Sequence, residues 1–453
     1  MKKQIILLLL IVCLLLCGCG NSGPDETLPA LETMAAETNQ QANTYNRSGP
    51  IVIYDEQLSS GVYFELYEDG TLMLSGADIM ESMVDEQAFK DYSKDISTVK
   101  IGDGVRTIGQ KAFSGADKIE KVIVGDSVET IGISAFDSCA ELTQITFGKN
   151  VTSIEDYAFS SCAKLTDVTL ENNISYVGNY AFSGCTALKY AVLGSSITDL
   201  GIFLFEGCSN LSTLYIGCNV TTDSLSNNTK VSSITLEDTV EEIQKRAFSG
   251  CTELKSIEFS KNLRVIGDNA FSDCTKLTNV ELPDSVTKLG DQVFSGCTAL
   301  ERAVIGSQVE TMGKNLFSEC KALKSIECNS STGEASFKDL EALESVVLGA
   351  QTKTIGKQSF SGCKKIRELN LPVGLETIEE QAFYGCEGLT KVVLPETLKT
   401  LEQDIFYGTN ALKTMIFEGA HAAWNKVEKN KDWSKGAGVT YPTKIEAPDK
   451  TES

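Results

Sequence analysis

The 453-residue chain contains 1 histidine, His421. A Ser-His-Asp triad, a histidine metal site or a histidine general base would all depend on that single side chain. No nucleophile stands near it in sequence. Positive charge is also in deficit: 40 Lys and Arg face 62 Asp and Glu, for a formal net charge of -22. Such a surface repels nucleic acid and anionic lipid headgroups, which excludes phosphate-backbone binding as a main activity. Long apolar runs are missing as well. The run from Ile5 to Leu16 is too short for a comfortable membrane span. What remains is a chain with 42% hydrophobic residues, enough for a core, and 15 cysteines.

Lys2 and Lys3 before the Ile5–Leu16 run have the charge and hydrophobic regions of an export signal. The run ends in Leu16-Cys17-Gly18-Cys19, which resembles the lipobox of bacterial lipoproteins. That resemblance implies a signal peptide over residues 1–18 and lipid on Cys19, at the mature N-terminus. Cys17 fits less well, because Leu16 rather than a small residue precedes it. Residues 19–50 are polar, acidic and poor in large apolar side chains, so a disordered tether is expected there.

Beyond the tether the sequence repeats. Marker phenylalanines fall every 23 residues at Phe113, Phe136, Phe159, Phe182 and Phe205, then from Phe248 to Phe317, then from Phe360 to Phe406. Both gaps between groups are 43 residues, and a step of 20 lands on Leu225 and on Phe337. Residues 113 to 225 and 225 to 337 are each separated by 112, so a block of four long units and one short one has been duplicated. The count expected from this pattern is about 13 units of 23 or 20 residues. In the unit around Cys274, Val280 and Leu282 alternate with Asn279 and Glu281, as in a short strand with one wet face. Each unit supplies one strand and a compact return. Neither can bury its apolar side alone, and stacking makes the core continuous.

"AFSGCTALKYAVLGSSITDLG" and its siblings resemble the BspA-like leucine-rich repeats of bacterial and protist surface proteins, from Val99 to Phe417. The resemblance implies an α/β repeat solenoid of short parallel strands over residues 99–418. "GVYFELYEDGTLMLSG" is similar to the entry module that precedes such repeats. A hairpin turning at Glu68-Asp69-Gly70 is expected to cap the array within residues 51–98. Trp424 and Val427, three apart, suggest an amphipathic helical cap over 419–442, followed by a polar tail over 443–453.

Ten cysteines, from Cys139 to Cys386, share one column of the repeat. Each unit offers a single thiol without a convergent partner, so no metal and no cofactor is expected. Disulfides stay open, since the chain carries an export signal and stacked positions lie about 5 Å apart. Against them, equivalent Cβ vectors point the same way, and Ala116 and Thr409 occupy the column at its ends. The expectation is a small buried side chain beside each phenylalanine.

Exposed strand positions are left for function. One outward column contains Val192 and Tyr215, with Tyr190 two residues before Val192, and it ends in Val393 and Ile416. These five are the candidate binding face, because aromatic side chains at the centre of a surface are common interface anchors. No catalytic constellation interrupts the repeat. The resemblance implies a non-catalytic, lipid-anchored protein on the extracellular face of a bacterial membrane. Its expected role is recognition of an extracellular protein or glycan, as in adhesion or cell–cell interaction. A structural envelope scaffold without a soluble ligand is the alternative.

Overall fold

A computed structural model describes residues 51–445 apart from 59, 60, 77, 81–86, 172 and 440. The expected signal peptide, Cys19 and tether lie outside the described residues. Three parallel ladders run along the stack, the two made of strands being interrupted at intervals into separate sheets of four to six strands. The first is made of the long strands. Asp167–Leu170, Tyr190–Leu193 and Thr213–Ile216 pair in register, so that Thr169, Val192 and Tyr215 lie side by side. Val168, Ala191 and Leu214 face inward and are buried. The second ladder uses two-residue strands, such as Tyr176–Val177 beside Asp199–Leu200. In the first short unit this strand is reduced to a single bridge at Val220, so the three missing residues come out of the second ladder.

The third ladder runs through the turn around each marker phenylalanine. Amides at alternate residues all donate toward the C-terminal neighbour: Lys111 to Ile133 at 2.9 Å, Phe113 to Ala135 at 2.7 Å and Gly115 to Asp137 at 2.8 Å. Placing those N–H groups on one side requires left-handed backbone two residues before and two residues after the marker. Lys111 has φ 57° and Gly115 has φ 76°; Tyr180 has φ 55° and Gly184 has φ 73°. Every unit from Phe113 to Phe406 repeats this signature, including those of Leu225 and Phe337. The array therefore has fourteen marked units rather than thirteen.

The same backbone corrects the α/β expectation. Two left-handed residues in each return break any helix. Among the described residues, helix is confined to Gln87–Tyr92 and His421–Trp424. The fold is a parallel-strand solenoid of about fifteen turns with almost no helix.

Stacked rings fill the core. Phe136 lies 5.2 Å from both Phe113 and Phe159 by ring centroid, within the range for offset stacking. Leu225 interrupts the spine, whereas Phe337 carries it through the second short unit at 5.6 Å from Phe317 and 4.9 Å from Phe360.

Beside the spine, each thiol of the column donates to the carbonyl of the marker residue one unit upstream. Cys139 reaches Phe113 at 3.2 Å, Cys297 reaches Phe271 at 3.2 Å and Cys386 reaches Phe360 at 3.1 Å. All twelve cysteines among the described residues are buried thiols. Burial pushes Cys139, Cys251 and Cys386 up to about 12. Asn228 replaces the thiol in the first short unit and donates to Leu225 at 2.8 Å.

The ends use different backbone. β1 (Val52–Gln57), β2 (Tyr63–Tyr67) and β3 (Thr71–Ser75) are antiparallel, and β3 then pairs in parallel with Thr98–Ile101. At the other end the expected helix at Trp424–Val427 is only the turn His421–Trp424. The chain there continues all three ladders instead. Glu428–Lys429 pairs with Thr400–Leu401, and Lys444–Ile445 pairs with Ile416–Phe417. Between them the amides of Asp404, Ile405 and Gly408 donate to Asp432, Trp433 and Gly436 at 3.1, 3.1 and 3.0 Å. Trp433 meets Phe406 edge-on at 6.4 Å, and Lys429 Nζ sits 4.6 Å over the Trp424 ring.

Candidate binding face

The long strands present every second residue outward. In Thr213–Ile216, Leu214 and Ile216 are fully buried while Tyr215 is 38% exposed. Val192 lies directly opposite Tyr215, and Tyr190 lies opposite Thr213, diagonal to it. Tyr190 and Val192 are half-buried. All three therefore share one outward face across two adjacent strands.

The second expected patch divides. Val393 and Ile416 are paired neighbours, but Val393 is only 8% exposed. It belongs to an interior strand, flanked on both sides by Asn370 and Ile416. Val393 is thus withdrawn from the exposed face. Ile416 is half-buried beside Lys444. Val347, in the same column, is 54% exposed because its strand is the edge of a four-stranded ladder.

Sequence reasoning missed two features. A shallow groove of about 750 Å³ crosses the middle of the long-strand face, lined by Lys255, Asn279, Glu281, Val304 and Glu327. Arg302 lies between the carboxylates of Glu281 and Glu327, 3.9 Å from each. All three side chains are well exposed, so this arrangement orients charge more than it stabilises the fold. The alternation of Glu258, Glu281, Val304 and Glu327 was visible in the sequence, but the cross-strand arginine was not.

The second feature is a run of rings on the turn face. Tyr157 stacks on Tyr180 at 5.1 Å, and Tyr180 leans on Phe203 at 5.5 Å. All three occupy the left-handed position before the marker, with φ of 57, 55 and 53°. An L-residue there costs roughly 1–2 kcal/mol, least for Asn or Asp. Other units place Asn269, Asn315 or Asp404 at this position.

A family model for the BspA type leucine rich repeat region, in 6 copies, matches residues 82–212, 218–334 and 330–426. No curated protein sequence matches the chain. Among solved structures, a leucine-rich repeat protein from Bacteroides ovatus is similar at TM-score 0.50 and 24% identity, over 84% of this chain and 98% of that one. Another, from Eubacterium ventriosum, has TM-score 0.36 and 23% identity, over 86% and 96% of the two chains. A leucine rich cell surface protein from Faecalibacterium prausnitzii has TM-score 0.33 and 21% identity, over 83% and 98%.

Proposed function

The chain belongs to the BspA-type leucine-rich-repeat family, and on that premise we propose that it is a recognition module displayed on a cell surface. The repeat is a non-catalytic scaffold. Its long-strand face recognises an extracellular protein or glycan, in adhesion or cell–cell contact. One observation carries this reading: Val192 and Tyr215 stand side by side on an outward face otherwise dominated by hydroxyl, amide and acidic side chains. Tyr190 extends the same patch. A solvated face needs no such cluster, and aromatic side chains are common anchors of binding interfaces.

Display follows from the leader. Cys19 carries lipid, residues 19–50 act as a spacer, and the solenoid stands off the outer face of a bacterial membrane. β3 pairs with the first long strand of the array, and Glu428–Lys429 and Lys444–Ile445 pair with its last strands.

The reading is tested by displaying the chain on beads and challenging it with extracellular-matrix proteins, glycans and intact cells. Saturable binding to one of them supports it. Failure across all three classes favours an envelope scaffold without a soluble ligand.

A further inference from the structure

We propose that the turn face carries a second docking site, a stripe formed by Tyr157, Tyr180 and Phe203 with Ile133 and Ile202, whose partner is an extended basic polypeptide segment. The site is independent of the long-strand face. Ile133 and Tyr157 are each 42% exposed and Ile202 is 39% exposed, on four consecutive units. The fold does not ask for aromatic side chains there. The ring-bearing position is left-handed backbone, which Asn and Asp adopt with less strain. The other units place Lys, Ser, Asp, Arg, Asn, Gln or Ala at this position, so three successive aromatic residues on this backbone are particular to these units.

Charge selects the occupant. The turn segments 130–137, 153–161, 176–184 and 199–207 hold Asp137, Glu155, Asp156, Asp199 and Glu206, and neither Lys nor Arg. None of these five carboxylates is in an ion pair among the described residues. Some other turns bring in cations, at Lys111, Lys245, Arg246, Lys314 and Lys357, whereas those around Leu225, Phe271, Phe383 and Phe406 also hold none. Burial, and next the charge of Glu206, push the Tyr180 phenol up. Apolar rings among carboxylates that have no paired cation match arginine and lysine, whose aliphatic stems lie along the ring edges while their heads meet the acids.

Other occupants fit less well. Anionic lipid is repelled by the same carboxylates. A sugar needs an open ring face, and here the faces are turned toward one another, with Tyr157 and Tyr180 only 4° from parallel.

The test is fluorescence anisotropy of a short labelled peptide of alternating arginine and leucine, and of its glutamate–leucine counterpart, titrated with the full chain. The cationic peptide is expected to bind about ten-fold or more tighter. The triple variant Tyr157→Asn, Tyr180→Asn, Phe203→Asn is expected to lose about ten-fold in affinity, with a melting temperature equal to or above that of the natural chain. Asp137→Asn with Glu206→Gln leaves the rings in place and is expected to weaken binding and flatten its salt dependence. Equal binding of the two peptides would overturn the proposal, as would full affinity in both variants. So would a dimer, seen by sedimentation, that the triple substitution dissolves, because that would assign the stripe to self-association.

Discussion

The Cys139 thiol donates to the carbonyl of Phe113, 26 residues earlier in the chain and one unit upstream in the stack, at 3.2 Å. The same carbonyl also accepts the amide of Ala116 at 3.0 Å. Each column cysteine thus reaches across to the preceding unit and supplies a second donor to a buried carbonyl. Joining two of them as a disulfide would remove both donors and draw both side chains out of the ladder. Alkylation of the native chain should therefore modify few of the ten, and unfolding should expose most of them to the reagent. Peptides linking consecutive column cysteines in a non-reduced digest would contradict this.

Packing energies should differ sharply between neighbouring columns. Phe271 is stacked between Phe248 and Phe294 at 5.3 and 5.5 Å, and Phe271→Ala should cost roughly 3–5 kcal/mol. Cys274→Ala should cost about 1 kcal/mol, because the cavity is small and the Phe248 carbonyl keeps the Cys251 amide. Denaturant titration of the two variants checks the ordering. The damage should stay local, since each unit mainly contacts its neighbours.

Alkaline pH should loosen the array. Folded Cys139, Cys251 and Cys386 sit at about 12, above the ordinary thiol value of 9.0. Between those values the unfolded chain has released its thiol protons and the folded chain has not. Stability is fully present below about pH 9 and falls as pH rises toward 12, by about 1.4 kcal/mol per pH unit for each such thiol. Melting temperatures measured from pH 8 to 11 should fall, and should fall less in a variant with these three cysteines changed to alanine.

The backbone signature predicts an unusual gain from glycine. Lys111 is exposed at φ 57°, so Lys111→Gly should stabilise the first marked unit by about 1 kcal/mol, whereas Lys111→Val should destabilise it. Opposite shifts in denaturation midpoint would confirm the strain.

Removing Trp433 should unfasten the C-terminal end. Trp433→Ala should let the amides of Asp404, Ile405 and Gly408 exchange with solvent much faster, while amides near Phe271 keep their protection. Uniform loss of protection would contradict this modular picture.

These relationships differ in how far the sequence reveals them. The 23-residue step fixes the phenylalanine spine, and Tyr215 between Leu214 and Ile216 is enough to place its ring outward. The acceptor of each thiol is a backbone carbonyl in another unit, which no side-chain pattern records. Left-handed residues escaped notice because Lys111, Ser134, Tyr157 and Arg246 share a conformation but no chemistry. Trp424 and Val427 suited a helix face equally well as a turn that carries the ladders forward. Val393 looked exposed by alternation, which does not record that strands flank it on both sides.

The central claim, recognition through the long-strand face, is tested most directly by the double variant Tyr190→Ser, Tyr215→Ser. Its binding should be compared with that of the natural chain on whichever matrix protein, glycan or cell the displayed solenoid captures. The account predicts a loss of about 2 kcal/mol or more in binding free energy, with an unchanged melting temperature. Full binding by the double variant would contradict it.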